Sequence, residues 1–368
     1  MDVTAEPLET LRRRQSVKWR QYPDDVLPLF VAEMDYPVAP VVREALRDLV
    51  DRDDLGYAFA PGRAGEAFAG FAARHWGLEV RAERVRTTTD VSVAIVETLR
   101  RAISPGDGVV ICPPVYPPFF DLPPEAGGVA VPVPLTPTGY DIAAIERALS
   151  GGARAILISN PHNPLGLLAD NLHELADLAA RHEVMVVSDE IHAPLVHERG
   201  AFVPFHSVSD AAREWSVVVT SASKAFNIAG TKCALMIAHS DRALALLDGM
   251  PEEVTFRTSI LGLAANIAAF ERGDEWLAGA VSAIRASSAL LASLLPSTIS
   301  FAPPAASYLA WLDFRGAGWG DEPAEVALSK GVALNRGLDF GAQGAGFARL
   351  NLACSPEVLS LAVARLAS

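Results

Sequence analysis

Between about residues 84 and 240, short runs of β-branched and aliphatic residues alternate with amphipathic stretches of helical period, and this rhythm restricts the fold more than any other feature. Parallel strands covered on both faces read as near-continuous apolar runs, and each needs a crossover long enough to hold a helix. The spacing predicts strands over Val109–Cys112, Gly128–Val133, Arg154–Ser159, Val184–Ser188, Ser216–Thr220 and Cys233–Ala238, with helices over Ser92–Ala102, Asp170–Arg181 and Asp241–Leu247. The expected class is therefore α/β, with a mostly parallel sheet sandwiched by helices. Beyond residue 255 the pattern changes. Two Ala/Leu-rich helices over 255–271 and 274–294 precede a proline-containing break at Ala302–Ala305, and an α+β segment with strands at Tyr308–Phe314 and Phe347–Leu352 closes the chain. A large domain over 50–280 and a smaller one from 1–49 and 281–368 are expected.

Charge and cysteine usage remove several function classes. With 31 basic against 44 acidic residues the formal charge is -13, and only Arg12, Arg13 and Arg14 form a basic run, so a nucleic-acid partner is not expected. The three cysteines, Cys112, Cys233 and Cys354, are far apart and fit neither a disulfide framework nor a CxxC metal site. The first residues lack an apolar signal core, and apolar runs such as Ser259–Phe270 read as too short or too broken to span a bilayer. A cytoplasmic protein with no membrane partner is the expectation. Only four lysines occur, Lys18, Lys224, Lys232 and Lys330, which leaves few candidates for a nucleophilic amine.

Several polar motifs coincide with the predicted strand ends, where ligands gather in open α/β sheets. Ser221-Ala222-Ser223-Lys224 follows the run Val217–Thr220; an amine there would be partly desolvated and readily deprotonated, as imine chemistry needs, although a solvated lysine in a polar turn is the plainer alternative. Asp189, in Ser188-Asp189-Glu190-Ile191-His192, can hold a heterocyclic nitrogen protonated or simply cap a turn. Asn163, in Asn160-Pro161-His162-Asn163-Pro164-Leu165-Gly166, sits in a rigid turn from which its amide can donate to a phenolic oxygen. Thr87–Ser92 leads into a helix and is either an anion site or an ordinary N-cap. Lys232 can pair with a phosphate or remain a surface charge.

Taken in order, NPHNPLG, SDEIH, SASK and a basic residue eight positions after the lysine resemble the fold-type I PLP (pyridoxal 5'-phosphate) enzymes of the aminotransferase class I/II superfamily. Lys18-Trp19, Leu27–Tyr36, Gly56-Tyr57 and Pro114–Phe119 look like the MalY/PatB-type cystathionine β-lyase branch. The resemblance implies that Lys224 is the Schiff-base lysine and the base at the substrate α-carbon, that Asp189 meets the pyridine nitrogen, and that Asn163 meets the ring hydroxyl. It places Tyr116 on the ring face, His192 near the hydroxyl, and Ser221, Ser223, Lys232 and the backbone of Asp90 and Val91 around the phosphate. Tyr57 would reach the phosphate of a neighbouring subunit, implying a homodimer with shared active sites. Arg349 would grip the substrate carboxylate, with Tyr36 and Asn163 also at the substrate.

Two residues depart from that pattern. Asp90 stands where members commonly have glycine, and is compatible with a phosphate only if its side chain turns away; Glu33 and Tyr36 replace residues of an ADMDF motif. The implied reaction is β-elimination from cystathionine or another S-substituted cysteine, giving thiol, pyruvate and ammonia. Transamination to a 2-oxo acid shares every step up to proton removal, and a non-catalytic PLP-binding regulator is a third reading.

Overall fold

The computed structural model describes residues 1–58 and 62–368. Among them are twelve strands: β1 (Leu27–Pro28), β2 (Val85–Thr88), β3 (Gly108–Ile111), β4 (Val129–Pro132), β5 (Ala153–Ser159), β6 (Met185–Asp189), β7 (Ser216–Thr220), β8 (Ala234–Ala238), β9 (Leu309–Asp313), β10 (Val332–Ala333), β11 (Asn335–Arg336) and β12 (Phe347–Asn351). Seven of them form one sheet in the order β2-β8-β7-β6-β5-β3-β4, parallel throughout except for β8, which runs against both neighbours. The apolar runs that predicted the central strands are buried on both faces, as a sheet with helices above and below requires, whereas the edge strand β4 is partly exposed. Every residue of β6 and β7 is buried. Each such valine contributes about 1.5–3 kcal/mol through burial.

Register converts strand ends into a site. Ser159 pairs with Asp189 across β5 and β6, and Asp189 pairs with Val219 across β6 and β7. The polar segments that follow these parallel strands therefore emerge at one edge of the sheet. β9, β11 and β12 form a separate antiparallel sheet with β12 in its centre, and β1 pairs with β10.

The predicted strands lie within a residue or two of the observed ones, but two readings need correction. The helix expected over 255–271 is broken into Glu253–Phe256 and Ile260–Arg272. Ser259 caps the second piece by accepting from the Gly262 N–H at 3.3 Å, while the Thr258 hydroxyl bonds the hydroxyl of Thr87 on β2 at 3.0 Å. Two residues with their own hydrogen-bonding needs thus interrupt an otherwise helical pattern. Second, helix Asp274–Leu294 does reach the length and apolar composition of a membrane span. Trp276, Leu277, Ala280, Ile284 and Leu291 are buried in the same core cluster as Val358, Leu359 and Val363 of helix Pro356–Ala367.

Candidate active site

Lys224 lies in the single helical turn Ala222–Ala225 immediately after β7. Ser221 fixes that turn: its hydroxyl oxygen accepts from the Ser223 N–H at 3.0 Å and donates to the Cys233 carbonyl at 2.6 Å. The lysine is directed inward, and its Nζ donates to the Ala32 carbonyl at 3.1 Å. Burial, with a smaller contribution from the Arg349 charge, lowers the ammonium to about 8, against the opposing pull of Asp189 and Glu33. A useful fraction of free amine at neutral pH follows.

Asp189 closes β6, with Oδ1 accepting from the Ile191 N–H at 3.1 Å. Burial raises its carboxyl to about 7, while the Ile191 N–H and Lys224 pull the other way. A cation brought beside it would restore the carboxylate. The adjoining Glu190 has a structural part. It accepts from the Phe205 N–H at 2.8 Å and from the Ser188 hydroxyl at 3.1 Å, tying the loop after β6 to the sheet.

Arg349 reaches the same space from the middle of β12. Its Nη1 donates to Asn163 Oδ1 at 3.0 Å and its Nη2 to the Phe30 carbonyl at 3.1 Å, and its guanidinium lies over the Phe340 ring at 4.9 Å. The Nε is buried without a partner among the described residues, as is His192 Nδ1. Burial pushes His192 down to about 3, so the ring is neutral at physiological pH. Because Asn163 spends its Oδ1 on Arg349, its Nδ2 is the amide donor left for a ligand.

These groups surround a cavity of about 260 Å³ lined by Asp90, Val91, Tyr116, Asn163, Asp189, His192, Ser221, Ser223, Lys224 and Lys232. A wider vestibule of about 910 Å³ opens from Lys224, past Arg349, Tyr116 and Glu33. The donor set fits the group that the resemblance implies. Asp189 stands ready for a ring nitrogen, the Asn163 amide for a ring hydroxyl, and Ser223, Lys232 and a helix N-terminus for a phosphate.

Two expected positions differ. Asp90 does not turn away from the cup: its Oδ2 accepts from Lys232 Nζ at 2.9 Å, because the N-cap geometry of helix Val91–Ala102 aims the carboxylate inward. Tyr36 is fully buried and lines neither cavity, since its phenol is packed close to Cys354, Asp35 and Ser287. Tyr57 is 91% exposed and lies outside this chain's own cavity.

Sequence reasoning missed Tyr308, whose hydroxyl donates to the Ala32 carbonyl at 3.0 Å beside Lys224. Its only signal was its place at the start of a strand. It also missed the pairing of Lys18 with Asp35 at 2.7 Å, both fully buried, with Lys18 also donating to the Glu33 carbonyl at 3.0 Å. This pair anchors the segment that presents Ala32 to the site. Lys18→Met is therefore expected to lower stability by about 3–5 kcal/mol, because Asp35 is left buried and unpaired; urea denaturation monitored by circular dichroism measures it.

Residues 24–366 match the family model described as aminotransferase class I and II. The chain belongs to that family. It superimposes with a TM-score of 0.94 on the crystal structure of a putative PLP-dependent β-cystathionase from Corynebacterium diphtheriae, at 34% identity and covering 99% of this chain and 98% of that one. It is 35% identical to a cystathionine β-lyase from Corynebacterium glutamicum over 98% of both chains, and 38% identical to a putative cystathionine β-lyase from Mycobacterium leprae over 99% of this chain and 98% of the relative. The fold is the aminotransferase-like fold-type I arrangement, with the mixed sheet and the smaller α+β unit that the sequence implied.

Proposed function

We propose that this chain is a PLP-dependent C–S β-lyase that cleaves cystathionine or another S-substituted cysteine to a thiol, pyruvate and ammonia. The observation that carries the reading is the near-complete, two-way coverage of cystathionine β-lyases at 35–38% identity, combined with the place of Lys224 at the junction of the inner cavity, which Asp189 lines, and the vestibule, which Arg349 lines. When bound, PLP supplies an electron sink for negative charge at the substrate α-carbon. Asp189 provides the anionic partner at the ring-nitrogen end. Arg349 holds the substrate carboxylate through its guanidinium, whose Nε has no partner among the described residues, and so turns the α-hydrogen toward Lys224. Lys224 Nζ takes that proton, helped by the burial that leaves about half of its amine unprotonated near pH 8. The vestibule beyond it has room for the departing thiol.

Water completes the balance: cystathionine and one water give homocysteine, pyruvate and ammonia. Purified protein is expected to release pyruvate and thiol in equal amounts from cystathionine with no 2-oxo acid added. Turnover that depends on a stoichiometric 2-oxo acid would instead establish transamination. A homodimer is part of the proposal. It is supported by the exposure of Tyr57 together with Leu55 and Val50, an arrangement suited to contact with a second copy.

A further inference from the structure

A phosphate is ordinarily held by the free N–H groups of a helix N-terminus and a cationic side chain. In this chain one carboxylate engages both. Asp90 caps the twelve-residue helix Val91–Ala102, its Oδ1 accepting from the Val93 N–H at 3.0 Å, while its Oδ2 accepts from Lys232 Nζ at 2.9 Å. Lys224 apart, Lys232 is the only lysine or arginine that lines the inner cavity among the described residues. Its place is fixed by the backbone. Lys232 has a φ of +62°, its carbonyl accepts from the Ser259 N–H at 3.2 Å, and a Cβ on Gly262 would fall 2.6 Å from that same carbonyl. Only a residue without a side chain lets helix Ile260–Arg272 pack so close to the lysine's own backbone.

The side chains of Asp90 and Lys232 are 35% and 55% exposed, so their attraction is screened and does little for folding. A phosphate carrying about -1.5 to -2 charges is affected far more strongly, because it must share Lys232 with a carboxylate only a few ångströms away. We propose that Asp90 is a built-in competitor for the cofactor phosphate. It occupies the cup's anion-binding groups when the cofactor is away and weakens the phosphate's hold when it is present, so that PLP exchanges with solution more readily than the rest of the site would allow. This inference rests on the cofactor reading above.

Asp90→Asn and Asp90→Ser remove the charge yet keep a side-chain oxygen able to cap the helix. Both are expected to lower the PLP dissociation constant about tenfold or more, and to slow by a similar factor the loss of PLP from holoenzyme diluted into a scavenging apoenzyme. Pyridoxal, which lacks the phosphate, should bind parent and variants alike. An equal gain for pyridoxal, or no gain for PLP in either variant, overturns the proposal. If the parent chain takes up no PLP on Lys224, as read by mass spectrometry after borohydride reduction, the cofactor reading falls first, and this inference falls with it.

Discussion

Lys224→Ala is expected to abolish turnover, lowering pyruvate release by about 10⁴-fold or more, because it removes both the attachment point and the base. The geometry gives that expectation its force. The amine is buried, its hydrogen bond goes to a main-chain carbonyl, and the other three lysines offer no substitute: Lys18 is locked to Asp35, Lys232 faces Asp90 at the phosphate end of the cavity, and Lys330 lines neither cavity. Borohydride reduction followed by peptide mapping should place the cofactor on the tryptic peptide containing residue 224 in the parent and on no peptide in the variant. Turnover in the variant comparable to the parent would remove Lys224 from the chemistry.

Asp189→Asn is expected to move activity and stability in opposite directions. Loss of the anion facing the ring nitrogen should reduce kcat by about 10²–10³-fold, the usual scale for deleting one preorganised electrostatic contact. In the cofactor-free protein the same carboxyl is a liability. Its folded pKa of about 7 lies above the ordinary value of 3.8, so the native state favours the protonated form, and the penalty for ionising it grows as pH rises from about 4 to 7 and is complete above that. Removing the charge should raise the stability of apoprotein at pH 8 by up to about 4 kcal/mol, with little change at pH 4. Thermal melts of apo parent and variant at the two pH values test the sign. A variant less stable than the parent at pH 8 contradicts the burial argument.

Much of this arrangement was legible in the chain because it depends on short-range pattern. Val217–Thr220 and Val184–Val187 are apolar on both faces, so their strand character and burial follow together, and the polar residues just beyond them had to lie at the sheet edge. What escaped was decided by partners distant in sequence. Nothing near Asp90 announces that it will meet a lysine 142 positions away, and the Thr258–Thr87 bond that interrupts a helical pattern spans 171 positions. Tyr36 was placed at the substrate by its motif. Its phenol instead settled into the interior beside Cys354, where burial raises its pKa well above the normal range. Asp90 shows the same limit in another form: its capping role was legible, but the direction of its second oxygen was not.

The Ala32 carbonyl receives both the Lys224 amine and the Tyr308 hydroxyl. A single peptide oxygen near the beginning of the chain is thus the mooring for groups contributed from its middle and its end. For protein engineers this makes the amino-terminal arm non-modular. A chimera that swaps the first forty or so residues for those of a cousin would also exchange the dock at which the reactive nitrogen waits, so the arm and the loops at the sheet edge are best transplanted as one cassette.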